Sequence, residues 1–408
     1  MTSICFYFEV HQPRRLKWFF PDNEGMVLNY FNDTLNEEVF KKVSRKCYRP
    51  ATEMFLELIK RHDGEFKITF SLSGIFLDQC EKYDPGLIEN FQKLVDTGYT
   101  ELLDETYYHS LVSLYDDKRE FIEQVKIHRE AMESIFGYTP RSFRNTELIY
   151  SNDIAKIADN MGYRSIIMEG IEKVMGWRSP NYVYKAKGCG IRVLPRNYRL
   201  SDDIAFRFSA SQWNEYPLMA DKWAGWAKAS GGDTINIFMD FETFGEHQWQ
   251  ESGIFWFMKA LPEYALKEGL GFETVTGTAK KYGPKDVIDV YEKQPISWAD
   301  TERDTSAWLG NDMQWRCFDE AMLLCNKVKL TGNKELLDVY RNLLISDNIY
   351  YMCTKWLADG DVHTYFSHHR TPYDAAVNYA AILSDLKGYV FGWLKGDTSM
   401  NSGRYFSK

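Results

Sequence analysis

At 408 residues the chain is longer than one core usually needs, and 44% hydrophobic with 26% charged residues is the make-up of an ordinary globular protein rather than a disordered or fibrous one. A formal net charge of -9 with no long basic run argues against nucleic acid as a partner, and no apolar stretch reaches the length of a membrane span. Aromatic residues make up 16%, including 12 Trp and 26 Tyr, and such rings serve both cores and sugar-binding clefts.

Strand-like runs fall at residues 4–10, 66–72, 100–104, 142–147, 164–169, 190–195 and 234–240. The segments between them are long enough for crossover helices, which predicts an α/β protein of about seven β units, a large barrel with an appendage. A helix is expected after Asp117, with Glu120 three residues on and the stripe Phe121, Val125, His128, Met132 and Ile135 ending at Gly137; His128 on that stripe reads as a packed, satisfied histidine. Another should run from Asn152 to Gly162, which puts Glu147 in a strand-to-helix loop. Beyond residue 310 the spacing is helical, and Thr371 with Pro372 should start the last helix. The expected domains are a catalytic barrel over 1–300 and a helical bundle over 301–408 packed on it. Seven scattered cysteines without a C-x-x-C pair read as reduced core thiols, and the N-terminus lacks the basic region and cleavage site of a signal peptide, so a cytoplasmic protein is expected.

Asp240 closes the apolar run Thr234-Ile-Asn-Ile-Phe-Met-Asp240 and is followed by Phe241-Glu-Thr-Phe-Gly-Glu-His247. Parallel barrels place their chemistry at the C-terminal ends of strands, so His11, Tyr107-Tyr108-His109, Glu147 and Asp240 should gather at one rim. Two carboxylates on different strands suit glycoside cleavage, in which one attacks the anomeric carbon and the other protonates the departing oxygen; Glu147 and Asp240 are the pair. If the chain stays extended past Asp240, Glu242 faces the same way and its charge helps Asp240 keep a proton. The bland alternative is an Asp in a turn. A different class of reading uses His11, His109, His247, Asp240 and Glu242 as a divalent metal site, as in metal-dependent polysaccharide deacetylases, but no compact motif such as H-E-x-x-H is present, and neither metal nor cofactor is expected. A non-catalytic glucan-binding protein is a third class.

His11-Gln-Pro13 after the first strand, Glu147 after the fourth and Asp240-Phe-Glu-Thr-Phe-Gly245 after the seventh, in that order, resemble glycoside hydrolase family 57. Trp298-Ala-Asp300, Ser306-Ala-Trp-Leu-Gly-Asn311 and Thr371-Pro-Tyr-Asp374 extend the resemblance nearly end to end. It implies a retaining enzyme acting on α-glucans or maltooligosaccharides, α-amylase-like, with 4-α-glucanotransferase or branching-type transfer as the alternative. It also implies a distorted, seven-stranded (β/α) barrel with a C-terminal helical region, Glu147 as nucleophile, Asp240 as general acid/base, and His11 beside the sugar under attack. The chain departs from the family pattern at Phe143-Arg-Asn-Thr-Glu147, which lacks a tryptophan ahead of the Glu, and matches it loosely at Ser71-Leu-Ser-Gly74. Tyr107, His109, Glu242 and His247 complete the expected substrate-binding set with Trp298, Trp308 and Asp300. Trp308, among hydrogen-bonding side chains, is the first choice for stacking on a glucose ring, with Trp298, Trp177 and Tyr107 as further candidates; Asp300 binds a hydroxyl or caps a helix. Oligomeric state is not specified by any of these features.

Overall fold

Ser3–Val10 is buried along its whole length, as an apolar strand covered on both faces must be, and forms β1 at the centre of the first of two sheets. β2 (Ile68–Leu72), β3 (Thr100–Leu103), β4 (Ser142–Phe143), β5 (Ser165–Glu169), β6 (Tyr184–Ala186), β7 (Arg192–Arg196), β8 (Thr234–Asp240), β9 (Gly271–Phe272) and β10 (Val287–Ile288) follow in this computed structural model, which describes residues 1–19, 28–355 and 367–396. One sheet has the order β3-β2-β1-β8, with β9 also on β1, and every pair in it is parallel. The other has the order β10-β6-β7-β5-β4, parallel except between β6 and β7. Just past β3, Asp104 makes a parallel bridge to Phe143 of β4, and just past β7 the Asn197 amide donates to the Asn236 carbonyl of β8 at 2.8 Å.

All seven long strand runs read from the sequence are present, although the fourth pairs only over Ser142–Phe143 before the chain turns away. The strands β6, β9 and β10, of two or three residues, were not anticipated; segments that short carry no periodicity. The expected helices form over Arg119–Phe136 and Asn152–Asn160, and Gly137 and Gly162 take the positive φ that ends them. His128 is buried as expected, sharing hydrogen bonds with Asp104 at 2.7 Å and the Leu72 carbonyl at 2.8 Å. All seven cysteines are free thiols, and six are buried.

In the parallel sheets, registered neighbours share a face. Tyr7, Leu103, Ile167, Leu194 and Phe238 therefore meet in one apolar layer drawn from both sheets, with Tyr7 edge-on to Phe238 at 5.6 Å. One residue pair further along, the same faces carry Glu9, Glu169, Arg196 and Asp240. A charged tier thus stands on an apolar floor at the C-terminal ends of the strands.

The chain forms two compact units. The first, Met1–Gln12, Glu37–Thr106 and Val125–Trp298, holds all ten strands. The second, Pro13–Asn36, Tyr107–Gln124 and Ala299–Lys408, is mainly helical, so it is built from three stretches of chain rather than from the residues after 300 alone. Its helices include Asp312–Leu330, Lys334–Leu343 and Pro372–Leu394, the last capped by the Thr371 hydroxyl with Pro372 in its first turn.

Candidate active site

Register places Glu9 on β1 directly beside Asp240 on β8 and Ser71 on β2. Burial raises the Asp240 carboxyl above the ordinary aspartate value; the Glu147 charge raises it further, against the opposing pull of His247, Arg144 and Arg196. Asp240 therefore keeps a proton to higher pH than a solvated aspartate does. His247 is held below the ordinary histidine value by its burial, although Asp240 and Glu246 pull the other way.

Glu147 has φ 57° and Leu148 φ 49°, two consecutive left-handed residues without a glycine. Such a backbone persists only where its surroundings impose it. The Ser297 hydroxyl donates to the Glu147 carbonyl at 2.7 Å, Tyr150 and Ile296 pair through both of their amides, and the Asn145 side chain donates to the Ile149 carbonyl at 2.9 Å. The Trp298 indole N–H donates to Glu147 Oε2 at 2.9 Å. Trp298 is itself fixed: the guanidinium groups of Arg144 and Arg196 stand 5.4 and 5.9 Å from its ring centre. Both arginines are buried and neutralised, Arg144 by Glu9 and Glu105 and Arg196 by Glu169 and Asp202. A carboxylate is thereby pinned by one oxygen within the electrostatic reach of a carboxyl whose affinity for its proton is raised, an arrangement that suits a nucleophile and an acid.

Glu242 does not face along an extended continuation of β8, because Phe241–Thr243 coils into a short 3₁₀ turn. Like-charge repulsion between the two groups nevertheless appears at Glu242. Burial first, and the Asp240 charge second, push Glu242 up to about 8, while a hydrogen bond from the Tyr48 hydroxyl acts to lower it. The turn after it is closed by His247 and Glu246 amides donating to the Glu242 carbonyl at 2.9 and 3.2 Å. Gly245 is required there: its φ is 109°, and a Cβ would lie 2.0 Å from the Lys46 carbonyl oxygen.

A raised carboxyl has a sign in stability. The folded state binds a proton that the unfolded chain has released, so this contribution is full below about 4.5, declines as pH rises, and is gone once pH passes about 8. Removing the ionisable group with Glu242→Gln should therefore widen the Tm difference in favour of the variant from about pH 5 to about pH 8, then level off. Thermal unfolding across that range checks it, and parallel curves would exclude buried titration at Glu242.

His11 follows β1 and shares a hydrogen bond between Nδ1 and Ser73 Oγ at 2.7 Å; Ser73, in the loosely matched Ser71–Gly74 segment, also caps the helix Gly74–Tyr83. His11, Glu147, Asp240, His247 and Trp298 are each partly exposed while most of their chain neighbours are buried. Tyr107, His109, Asp300 and Trp308 belong to the second unit. There Trp308 corrects the expectation of a stacking platform: it is 1% exposed and packs 5.8 Å from Tyr350. Asp300 pairs with Lys355 at 3.2 Å, His109 is buried with φ 48°, and Tyr107 lies edge-on to Tyr108 at 5.0 Å. Trp177, in the first unit, is 94% exposed.

Glu9, Arg144, Arg196, Ser73 and Tyr48 were not singled out from sequence. A signal existed for three of them: Glu9 is the one charge in an otherwise apolar strand, and Arg144 and Arg196 stand at strand ends like the residues that were chosen.

A protein of Methanocaldococcus jannaschii named “Putative alpha-amylase” is 48% identical over 397 residues, covering 95% of this chain and 84% of its own. The branching enzyme of Pyrococcus horikoshii, a GH57-type protein, superposes with a TM-score of 0.70 at 15% identity over 97% of this chain and 91% of its own. For the 4-alpha-glucanotransferase of Thermococcus litoralis the values are 0.66 and 16%, over 93% of this chain and 60% of that one. At such identities these two structures speak for the fold. With residues 5–291 matching the profile of Glycosyl hydrolase family 57, and a carboxylate pair at the strand ends, the chain belongs to that family and is a glycoside hydrolase.

Proposed function

We propose that the protein cleaves α-1,4-glucosidic bonds of starch-type glucans or maltooligosaccharides with retention, as an α-amylase-like enzyme, through a covalent glycosyl-enzyme. The observation that carries this reading is the electrostatic asymmetry of the pair. Asp240 is raised by burial and by the charge of Glu147, while Glu147 is held by the Trp298 indole. Glu147 attacks the anomeric carbon as Asp240 gives its proton to the leaving oxygen; Asp240 then takes a proton from the incoming water, which displaces Glu147. His11, Glu242 and His247 bind sugar hydroxyls. The name of the relative in Methanocaldococcus supports the substrate class. The same reading takes the two sheets as one distorted, seven-stranded (β/α) barrel, supported by the Asp104 bridge and the Asn197 bond at its two seams. It also places the protein in the cytoplasm, which the free thiols support.

The test is incubation with maltoheptaose, with products separated by chromatography and their anomeric form read by NMR. Shorter α-anomeric maltooligosaccharides, unaffected by a chelator, are expected. Longer products beside the shorter ones would replace hydrolysis by glucan transfer, in which a sugar hydroxyl takes the place of water.

A further inference from the structure

Between the helices Asp33–Val43 and Arg49–Arg61 the chain does not run as regular α-helix: Ser44–Tyr48 forms a π-helical turn. Single π turns inside helices cost regular hydrogen bonding and are frequent at functional sites, where they redirect a side chain. The residue that ends this one is Tyr48. Its ring is buried, stacked on Phe241 at 6.3 Å and edge-on to Phe76 at 5.1 Å. Those contacts alone would be made equally well by phenylalanine. Its hydroxyl, however, donates to Glu242 Oε1 and stands 3.5 Å from the His11 carbonyl oxygen. The same turn is fastened to the Asp240 loop at two further points: Cys47 Sγ lies 3.3 Å from the Phe241 carbonyl oxygen, and Lys46 pairs with Glu246 at 3.0 Å. The close approach of Gly245 to the Lys46 carbonyl is part of the same junction.

We propose that Tyr48 is a positioning residue of the active site: through its hydroxyl it sets the direction of the Glu242 carboxyl group. It touches no substrate itself. Glu242 is faced by Asp240 and Glu246 from its own segment, by Tyr48 and Cys47 from the π turn, and by the lysines 42 and 46 through Glu246. Of these, Tyr48 is the residue that donates a side-chain hydrogen bond to Glu242 among the described residues. A neutral carboxyl group without that bond is free to rotate, and a sugar hydroxyl would then meet it in the wrong direction as often as in the right one. The inference rests on the glucan-hydrolase reading above and adds a residue that neither strand-end position nor motif points to.

The experiment is a double-mutant cycle of Tyr48→Phe and Glu242→Ala, measured as kcat/KM on maltoheptaose beside the parent enzyme. Tyr48→Phe retains the ring packing, so its melting curve should stay near that of the parent, and kcat/KM should fall by roughly tenfold to a hundredfold. Because the hydroxyl acts through Glu242, adding Tyr48→Phe to Glu242→Ala, which has no acceptor for it, should cost much less than it costs the parent. A structural role would instead multiply the two losses. Losses that multiply, or Tyr48→Phe activity within twofold of the parent, overturn the proposal. If the parent itself leaves maltoheptaose and longer α-glucans uncut, the glucan reading falls and the proposal falls with it, an outcome distinct from normal turnover by Tyr48→Phe.

Discussion

Replacing Glu147 by Gln should reduce kcat on maltoheptaose by on the order of 10⁴ to 10⁶, the scale on which enzymes lose activity when a covalent nucleophile is removed. The amide has the shape of the carboxyl group, and its oxygen can still accept the Trp298 indole N–H, so the loop held by Ser297 and Ile296 should keep its conformation. What disappears is the charge that attacks the anomeric carbon. The shortened variant Glu147→Ala gives a stereochemical check. Azide entering from the vacated face displaces the leaving group once, so the product is the β-glycosyl azide from an α-linked substrate. An α-azide, or a Glu147→Gln enzyme with more than about a tenth of parental kcat, would remove Glu147 from the nucleophile's role.

Asp240→Asn should lower kcat on maltooligosaccharides by about 10² to 10⁴, the range in which general acid–base catalysis contributes. The loss should depend on the leaving group. An α-maltosyl fluoride departs without a proton, so formation of the glycosyl-enzyme survives in the variant while its hydrolysis, which needs a base, remains slow. A burst of fluoride is the expected signature. In the parent enzyme Asp240 must carry its proton in the first step, so kcat/KM falls as pH rises through its value, and burial together with Glu147 places that fall above the ordinary aspartate range. Equal losses on fluoride and oligosaccharide would mean that Asp240 acts on the fold or on binding and not as the acid.

The long strands were readable because burial on both faces leaves little choice but an apolar run, as in β1 and β8, and Asp240 was conspicuous because it ends such a run. Glu147 was readable as a loop residue, yet nothing in Arg144-Asn-Thr-Glu-Leu148 announces two consecutive left-handed conformations. They are imposed by Ser297 and its neighbours, some 150 positions away. Trp308 misled for an identifiable reason. Its polar neighbours looked like groups that orient a sugar, but Asn311 caps the helix Asp312–Leu330 by accepting from the Gln314 amide, and Ser306 bonds Asp304. Hydrogen-bonding residues cluster at helix starts as readily as at binding sites. Glu9, Arg144 and Arg196 gain meaning only when β1, β4, β5 and β7 are side by side, since each charge is tolerated in the interior because of a partner on another strand.

The clasp on Glu147 also bears on how far this enzyme can be shortened. All ten strands of the described residues and both carboxylates lie before residue 291, so a fragment ending there contains the whole stretch that matches the family profile. Ile296, Ser297 and Trp298 come just after it. Such a fragment would hold the catalytic groups without the brace that gives one of them its posture, and the left-handed turn could relax to an ordinary one. An active piece must therefore run beyond the last strand, at least as far as Trp298.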